Sequence, residues 1–191
     1  MPLHLALVHY PIVDKTGRTV CTSVTNLDLH DLSRAATTYG ADGVWIVHPY
    51  EAQKRFLQRV LRHWREGWGA QYNHTRRESL AATRLADDLA GLEEQITATE
   101  GRPPVFVGTS ARRFGRSVSF GELRTRMEEN PEECYCLVFG TGWGLHPETM
   151  EEMDLVLEPV YGTGKWNHLS VRAAVAIILD RLRGTERPER C

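Results

Sequence analysis

A chain of 191 residues with 41% hydrophobic and 25% charged residues can bury one sizeable core and has the composition of a soluble globular protein. Its formal charge of −2 does not suit a protein coated for polyanions, so any nucleic-acid contact must come from a local basic patch. The four cysteines show neither a C-x-x-C pair nor metal-ligand spacing, and no apolar run approaches the roughly 20 residues that span a bilayer. No metal site is expected. The start, Met1-Pro-Leu-His-Leu-Ala, lacks the charged region and long apolar core of a signal peptide, and a reduced, cytoplasmic protein is the expectation.

In chain order, Leu3 to Val8 predicts a buried strand. Val24 to Ala36 reads as a loop entering a helix, with Asn26 or Asp28 placed to cap it and Leu29, Leu32, Ala35 and Ala36 on its apolar side. Gly40 closes that helix and Gly43 to Val47 is the next strand, a β-α-β unit with parallel pairing expected. Glu51 to Trp64 is an amphipathic helix: Leu57, Val60, Leu61 and Trp64 share one face, and Arg55, Arg59 and Arg62 share another. Arg65 to His74 shows little regular pattern and reads as a loop, either a lid or a packed surface segment. Ala81 to Glu100 fits one long helix or a short strand over 82–86 before a helix capped by Asp87 or Asp88, and the second reading keeps the alternation going. Val105 to Val107 is a strand leading into Gly108-Thr109-Ser110, and Phe120 to Glu129 is a helix.

The last third carries the chemistry. Tyr135-Cys-Leu-Val-Phe139 runs into Gly140-Thr-Gly142-Trp-Gly144-Leu145, with Cys134 and Cys136 on one strand face and read as packing residues. Leu155-Val-Leu157 runs into Glu158-Pro-Val-Tyr-Gly162-Thr-Gly164-Lys-Trp166-Asn167-His-Leu169-Ser170 and then a helix from Val171. A buried strand that ends in glycines leaves bare backbone at a sheet's carboxyl edge, where a ligand approaches without meeting a Cβ. Two such edges point to one shared pocket. The first turn lacks G-x-G-x-x-G spacing, Gly164-Lys165 is followed by Trp166 instead of Ser or Thr, and no G-x-S-x-G elbow or zinc-type histidine pair occurs. A dinucleotide fold is therefore a weak reading and a P-loop NTPase a weaker one, and neither a serine hydrolase nor a zinc hydrolase has support. The fold class is α/β, with a mainly parallel sheet and helices on both faces, as one domain over 1–184 and a polar tail over 185–191.

Gly140-Thr-Gly-Trp-Gly-Leu145 and Asn167-His-Leu-Ser-Val-Arg-Ala-Ala-Val-Ala176 make the chain resemble the SPOUT superfamily of S-adenosylmethionine (SAM)-dependent RNA methyltransferases, and within it the small bacterial SAM-dependent RNA methyltransferase group. Some members of that group are fused to a tRNA guanine-N1 methyltransferase. The likeness covers nearly the whole chain, with Val24 to Pro49, Phe139 to Leu145 and Glu158 to Ala176 resembling the three SPOUT motifs. It implies a carboxy-terminal trefoil knot holding a bent SAM, a homodimer with the active site near the subunit interface, and tRNA or rRNA as substrate. SpoU-type members carry glycine where this chain has His30 and glutamate where it has Thr141, so the resemblance implies the methyl-transfer class and leaves the base chemistry open. A non-catalytic RNA-binding or regulatory module on the same fold is the alternative, and a small-molecule or protein methyltransferase a third.

Methyl transfer from a sulfonium is an in-line displacement, so the enzyme's task is to align nucleophile and methyl carbon. Backbone groups around Thr109, Gly140, Gly142, Leu157, Leu169 and Ser170 are the expected polar contacts to SAM, with Leu145 and Leu169 as apolar walls. Arg34 matches the arginine that positions phosphate or nucleophile in SPOUT enzymes, while Asn167 and Asp31 are the other catalytic candidates. Ser170 also reads as an N-cap, Asp31 as an exposed helix acid, and His30 and His168 as residues without a role. Arg55, Arg59, Arg62, Arg76, Arg77, Arg112, Arg113 and Arg116 either build a basic patch or form solvated faces.

Overall fold

The computed structural model describes residues 1–185; the rest of the predicted tail, 186–191, lies outside the described residues. The elements are β1 (Leu3–Val8), β2 (Ile12–Val13), β3 (Thr19–Val20), α1 (Asn26–Thr38), β4 (Gly43–Val47), α2 (Glu51–Arg65), α3 (Trp68–Tyr72), α4 (His74–Leu80) and β5 (Thr83–Ala86). They continue with α5 (Leu89–Glu100), β6 (Pro104–Gly108), β7 (Ser117–Val118), α6 (Phe120–Glu129), β8 (Cys134–Gly140), α7 (Pro147–Glu151), β9 (Leu155–Leu157) and α8 (Val171–Arg183). Seven strands form one sheet in the order β5-β4-β1-β8-β6-β9-β7, every pairing parallel, while β2 and β3 form a small antiparallel hairpin.

The period-2 alternation of the strands sorts the core into two layers. Leu3, Leu5, Leu7, Val44, Ile46, Leu137 and Phe139 face one side, where α1, α2, α6 and α8 bring Leu29, Leu32, Leu57, Leu123 and Leu179. Ala6, Val8, Trp45, Cys134, Cys136 and Val138 face the other, against Leu92 and Ile96 of α5 and Met150 of α7. Both strand cysteines are buried in this second layer. Burial pushes the Cys134 thiol up to about 11 and the Cys136 thiol well up, which leaves them as packing groups. No described helix is long and apolar enough to cross a membrane.

Three local expectations need correction. Thr25, not Asn26 or Asp28, is the N-cap of α1; Asp28 sits at N3 and closes a capping box by accepting from Thr25 N at 3.0 Å. The presumed loop over 65–74 is mostly helical. Gly69 lets α3 lie against His63 and Trp64 of α2, and Asn73 ends α3 while its side chain caps α4, so two short helices hide behind a glycine-rich sequence. The β2–β3 hairpin was not foreseen, because two-residue strands carry no readable alternation. Its turn is legible in retrospect: Asp14 accepts from the amides of Thr16 and Arg18, and Gly17 takes φ +82°. Asp88 caps α5, in line with the strand-then-helix reading of 82–100.

Candidate active site

The neighbours β8, β6 and β9 end side by side at the carboxyl edge of the sheet, so Gly140, Thr109 and Leu157 come together from distant parts of the sequence. Thr109 N and Oγ1 both donate to Val138 O, at 3.0 and 2.9 Å. Leu157 is fully buried, so only its backbone is open to a ligand role. Leu145 is also buried, among Met150, Met153 and Val156, whereas Leu169 is 47% exposed.

The first glycine turn is held from several sides. Thr141 N donates to Val8 O, Trp143 N to Val13 O and Val13 N to Gly144 O, while Ile12 bridges to Leu145. Two of its three glycines answer to that packing, while a Cβ on Gly144, at φ +109°, would meet nothing within 4 Å. A Cβ on Gly140 would lie 2.5 Å from Leu145 N, and one on Gly142, at φ +59°, would lie 3.0 Å from Ile12 Cδ1 and 3.3 Å from Val13 O. Gly140 and Gly142 thus make room for Leu145 and for the hairpin.

The second loop is built differently. A Cβ on Gly162 would meet nothing within 4 Å, and one on Gly164 only Trp166 N at 4.0 Å. Asn167 Nδ2 donates to Ala111 O at 2.8 Å, tying the loop to the segment after β6. Trp166 Nε1 donates to His168 O at 3.1 Å, and the His168 ring lies 6.3 Å from that of Trp143, so the two glycine loops do meet. Ser170 caps α8 by accepting from Ala173 N. Tyr161, Trp166 and Leu169 are large apolar side chains left exposed on one short loop, which marks it as a surface awaiting a cover.

Arg34 and Asp31 belong to the far side of this assembly. Arg172, in the first turn of α8, reaches Asp31 Oδ2 at 2.7 Å and Asp28 Oδ1 at 3.7 Å, locking α8 onto α1. A cleft of about 460 Å³ opens there, lined by Asp31, Arg34, Ser170, Arg172 and Ala173 among others. Of the expected cofactor residues, Ser170 alone reaches it. The structure thus joins Asp31, Arg34 and Ser170, while Asn167 lies back along the same loop and Thr109, Gly140, Gly142, Leu145 and Leu157 line the sheet edge. His30 packs edge-on against Trp64, ring centroids 5.5 Å apart, with both nitrogens enclosed and without a partner, and burial lowers its pKa.

Two features escaped the sequence reading. Arg172 stood within the third motif without a role, and the pairing of an arginine with acids 141 and 144 positions away leaves no trace in spacing. Beneath the first turn, His9 Nδ1 lies 3.0 Å from Thr22 Oγ1, which lies 2.6 Å from Thr141 Oγ1, and His48 Nε2 lies 3.1 Å from Thr22 O. Burial, reinforced by His48, lowers the pKa of His9 to about 4, and burial lowers that of His48 as well. Of the arginines, Arg116 is occupied with the carbonyls of Met150, Glu151 and Met153, so it does not belong to an RNA patch.

An all-parallel seven-stranded sheet, two glycine-rich loops that meet at its carboxyl edge and an arginine cleft at the end of one of them define this α/β protein. The chain belongs to the SAM-dependent RNA methyltransferase family, whose pattern matches residues 2–184. It is 44% identical over 178 residues to an uncharacterized protein of Aquifex aeolicus, covering 93% of this chain and 86% of that one. It is 45% identical over 182 residues to a tRNA (guanine-N(1)-)-methyltransferase of Nitratidesulfovibrio vulgaris, covering 95% of this chain but only 42% of that longer protein. The fold is similar to that of the A. aeolicus TrmH/SpoU tRNA modifying enzyme, with a TM-score of 0.55 at 18% identity over 95% of this chain and 73% of that one.

Proposed function

We propose that this chain methylates a nucleotide of tRNA or rRNA, with SAM held at the carboxyl edge of β6, β8 and β9 and RNA entering beside Arg34. The observation that carries the reading is the shared cleft of Arg34, Asp31 and Ser170, which puts the α1 arginine at the end of the open glycine loop. The residues present fit SAM. Gly162 and Gly164 leave backbone free of side chains, and exposed Tyr161, Trp166 and Leu169 offer apolar cover. Thr109, Gly140, Gly142, Leu157, Leu169 and Ser170 would contact it through backbone, and Leu145 supports the turn from within the core.

SAM supplies an electrophilic methyl group on a sulfonium. The Arg34 guanidinium holds the phosphate or the charge developing at the nucleophile, as a fork suited to oxyanions. Asn167, already tethered through Nδ2, keeps its carbonyl oxygen to accept from the substrate. Asp31, fixed by Arg172, accepts a hydrogen bond in the same cleft.

The reading extends to one domain over 1–184 followed by a polar tail over 185–191, a carboxy-terminal trefoil knot, a homodimer and a cytoplasmic setting. The knot draws support from the path of the chain, since β8 enters between β1 and β6 after both are placed and α8 returns from β9 to pack on α1 and α6. The homodimer draws support from Ala173 and Ala176, half-buried small residues on the open flank of α8 where a second copy can approach closely. Isothermal titration with SAM tests the cofactor site, and no heat or thermal shift at millimolar ligand would overturn it. Loss of one modified nucleoside from total tRNA and rRNA on deleting the gene, read by mass spectrometry, identifies the substrate.

A further inference from the structure

The α2–α4 region has no part in the site just described, yet it concentrates what the rest of the chain lacks. Residues 51–80 hold seven Lys and Arg against three Glu, in a chain whose formal charge is −2. Lys54 is paired with Glu51 and Asp87, and Arg65 is anchored on the carbonyls of Leu80, Ala81 and Thr83. Arg55, Arg59, Arg62 and Arg77 are exposed and, among the described residues, make no ion pair. Arg55, Arg59 and Arg62 follow helical spacing on one face of α2.

On α3, which packs against α2, Trp68 and Tyr72 occupy positions i and i+4. Their rings stack on each other, centroids 4.7 Å apart and 17° from parallel, yet they remain 67% and 72% exposed. Two large aromatic rings stacked in water bury only their common face. The outer faces stay wet at a cost in hydration free energy that core placement would have avoided. A flat aromatic stack on a helix that packs against the arginine-bearing α2, with Arg76 over the Trp64 ring that Gly69 of α3 also meets, has the chemistry of a platform for an unpaired base with its phosphates alongside.

The platform is also continuous with the reaction centre. Tyr72 is followed by Asn73, and Asn73 lines a second cleft, of about 490 Å³, together with Thr75, Arg76, Thr37 and Arg34. Arg34 and Thr38 therefore line both this cleft and the one that holds Ser170. Arg76 is held over the Trp64 ring at 4.6 Å, which fixes a guanidinium in the floor of the path.

We propose that α2, α3 and α4 form a docking surface for a single-stranded segment of the RNA substrate, with an unpaired base stacked on Trp68 and Tyr72 and phosphates met by Arg59, Arg62 and Arg76. The proposal rests on the RNA-methyltransferase reading, and its test separates the two. The full chain is titrated with a 12-nucleotide oligouridylate and with bulk bacterial tRNA by fluorescence anisotropy, and with SAM by calorimetry.

Trp68→Ala/Tyr72→Ala should bind both RNAs roughly five- to 150-fold more weakly, the range for one lost stacking contact, with the same salt slope and unchanged SAM affinity. Arg59→Gln/Arg62→Gln should instead flatten the plot of log affinity against log salt by about 1.4, two phosphate contacts on a single strand. In methyl transfer the aromatic variant should raise the KM for RNA and leave kcat near wild type. Wild-type RNA binding by the aromatic variant, or a change confined to its light-scattering mass, would overturn the docking surface and leave the methyltransferase reading intact. Wild-type protein that binds no SAM would sink the reading on which the proposal rests.

Discussion

The two glycine-rich loops look alike as sequence and are opposites as structure. Gly140 to Leu145 is clamped between β1 and the β2–β3 hairpin by backbone hydrogen bonds, and neighbouring chain lies 2.5 Å from where a Cβ on Gly140 would be and 3.0 Å from one on Gly142. Glu158 to Ser170 has neither helix nor strand, and its Gly162 and Gly164 face open space. One turn is finished by folding. The other is left open. A glycine pattern alone therefore does not say whether backbone is bared for a cofactor or for another part of the same chain.

The largest effect is expected at Arg34, outside both loops, and it calibrates them. Arg34→Ala should keep near-normal SAM affinity and lose methyl transfer by roughly a hundred- to thousand-fold, about 2.7–4 kcal/mol by analogy with removing an oxyanion donor. Arg34→Lys should restore little, since a point charge does not reproduce the fork. Single-turnover transfer of radiolabelled methyl measures both, and a wild-type rate in the alanine variant leaves Arg34 a surface residue.

The comparison itself is tested by paired substitutions. Gly140→Ala forces a Cβ into Leu145 N and should destabilise the protein by about 3 kcal/mol, the upper end of overpacking costs, with SAM binding lost alongside. Gly164→Ala should leave the urea midpoint unchanged and weaken SAM alone. Equal stability losses in the two variants would erase the distinction between the loops.

Acid should act on the clamped turn first. The His9 pKa is about 4 in the folded protein, while the unfolded chain takes up that proton near the model-peptide value of 6.5. Stability from this group is therefore complete above pH 6.5 and falls as the pH drops towards 4, by about 3 kcal/mol in all. His48 adds in the same direction. Urea titrations at pH 7.5 and 4.5 should show the fall, with amide exchange rising over Thr141–Leu145 before it changes elsewhere in the sheet. His9→Gln should flatten the profile. The smallest effect is expected from Asn167→Ala, which loses the hydrogen bond to Ala111 O and should lower stability by about 1 kcal/mol, read as a small fall in the urea midpoint, with SAM weakened as the loop loses its tether.

What could be read from the residues follows the length of the signal. Strands such as Leu3–Val8 and Gly43–Val47, and the 15-residue stripe of α2, declare themselves through repeated apolar spacing. The two-residue strands β2, β3 and β7 have no room for a period, and α3 and α4 are masked by Gly67, Gly69 and an asparagine that serves both helices. The motif residues Arg34, Asp31 and Ser170 were picked out by resemblance. Their meeting in one cleft depends on α8 crossing α1, a tertiary event with no local cause. The His9–Thr22–Thr141 network was invisible for the same reason, since it depends on the hairpin.

Arg183, at the last turn of α8, donates to Met1 O at 2.9 Å and also to Gly40 O. Met1 and Arg183 are therefore neighbours at the amino edge of the parallel sheet, the pole opposite Gly140 and Leu157. A protein spliced on ahead of Met1 hangs from the floor of the molecule and leaves its roof clear. A reporter or immobilisation tether can be attached there without obstructing traffic to the loops.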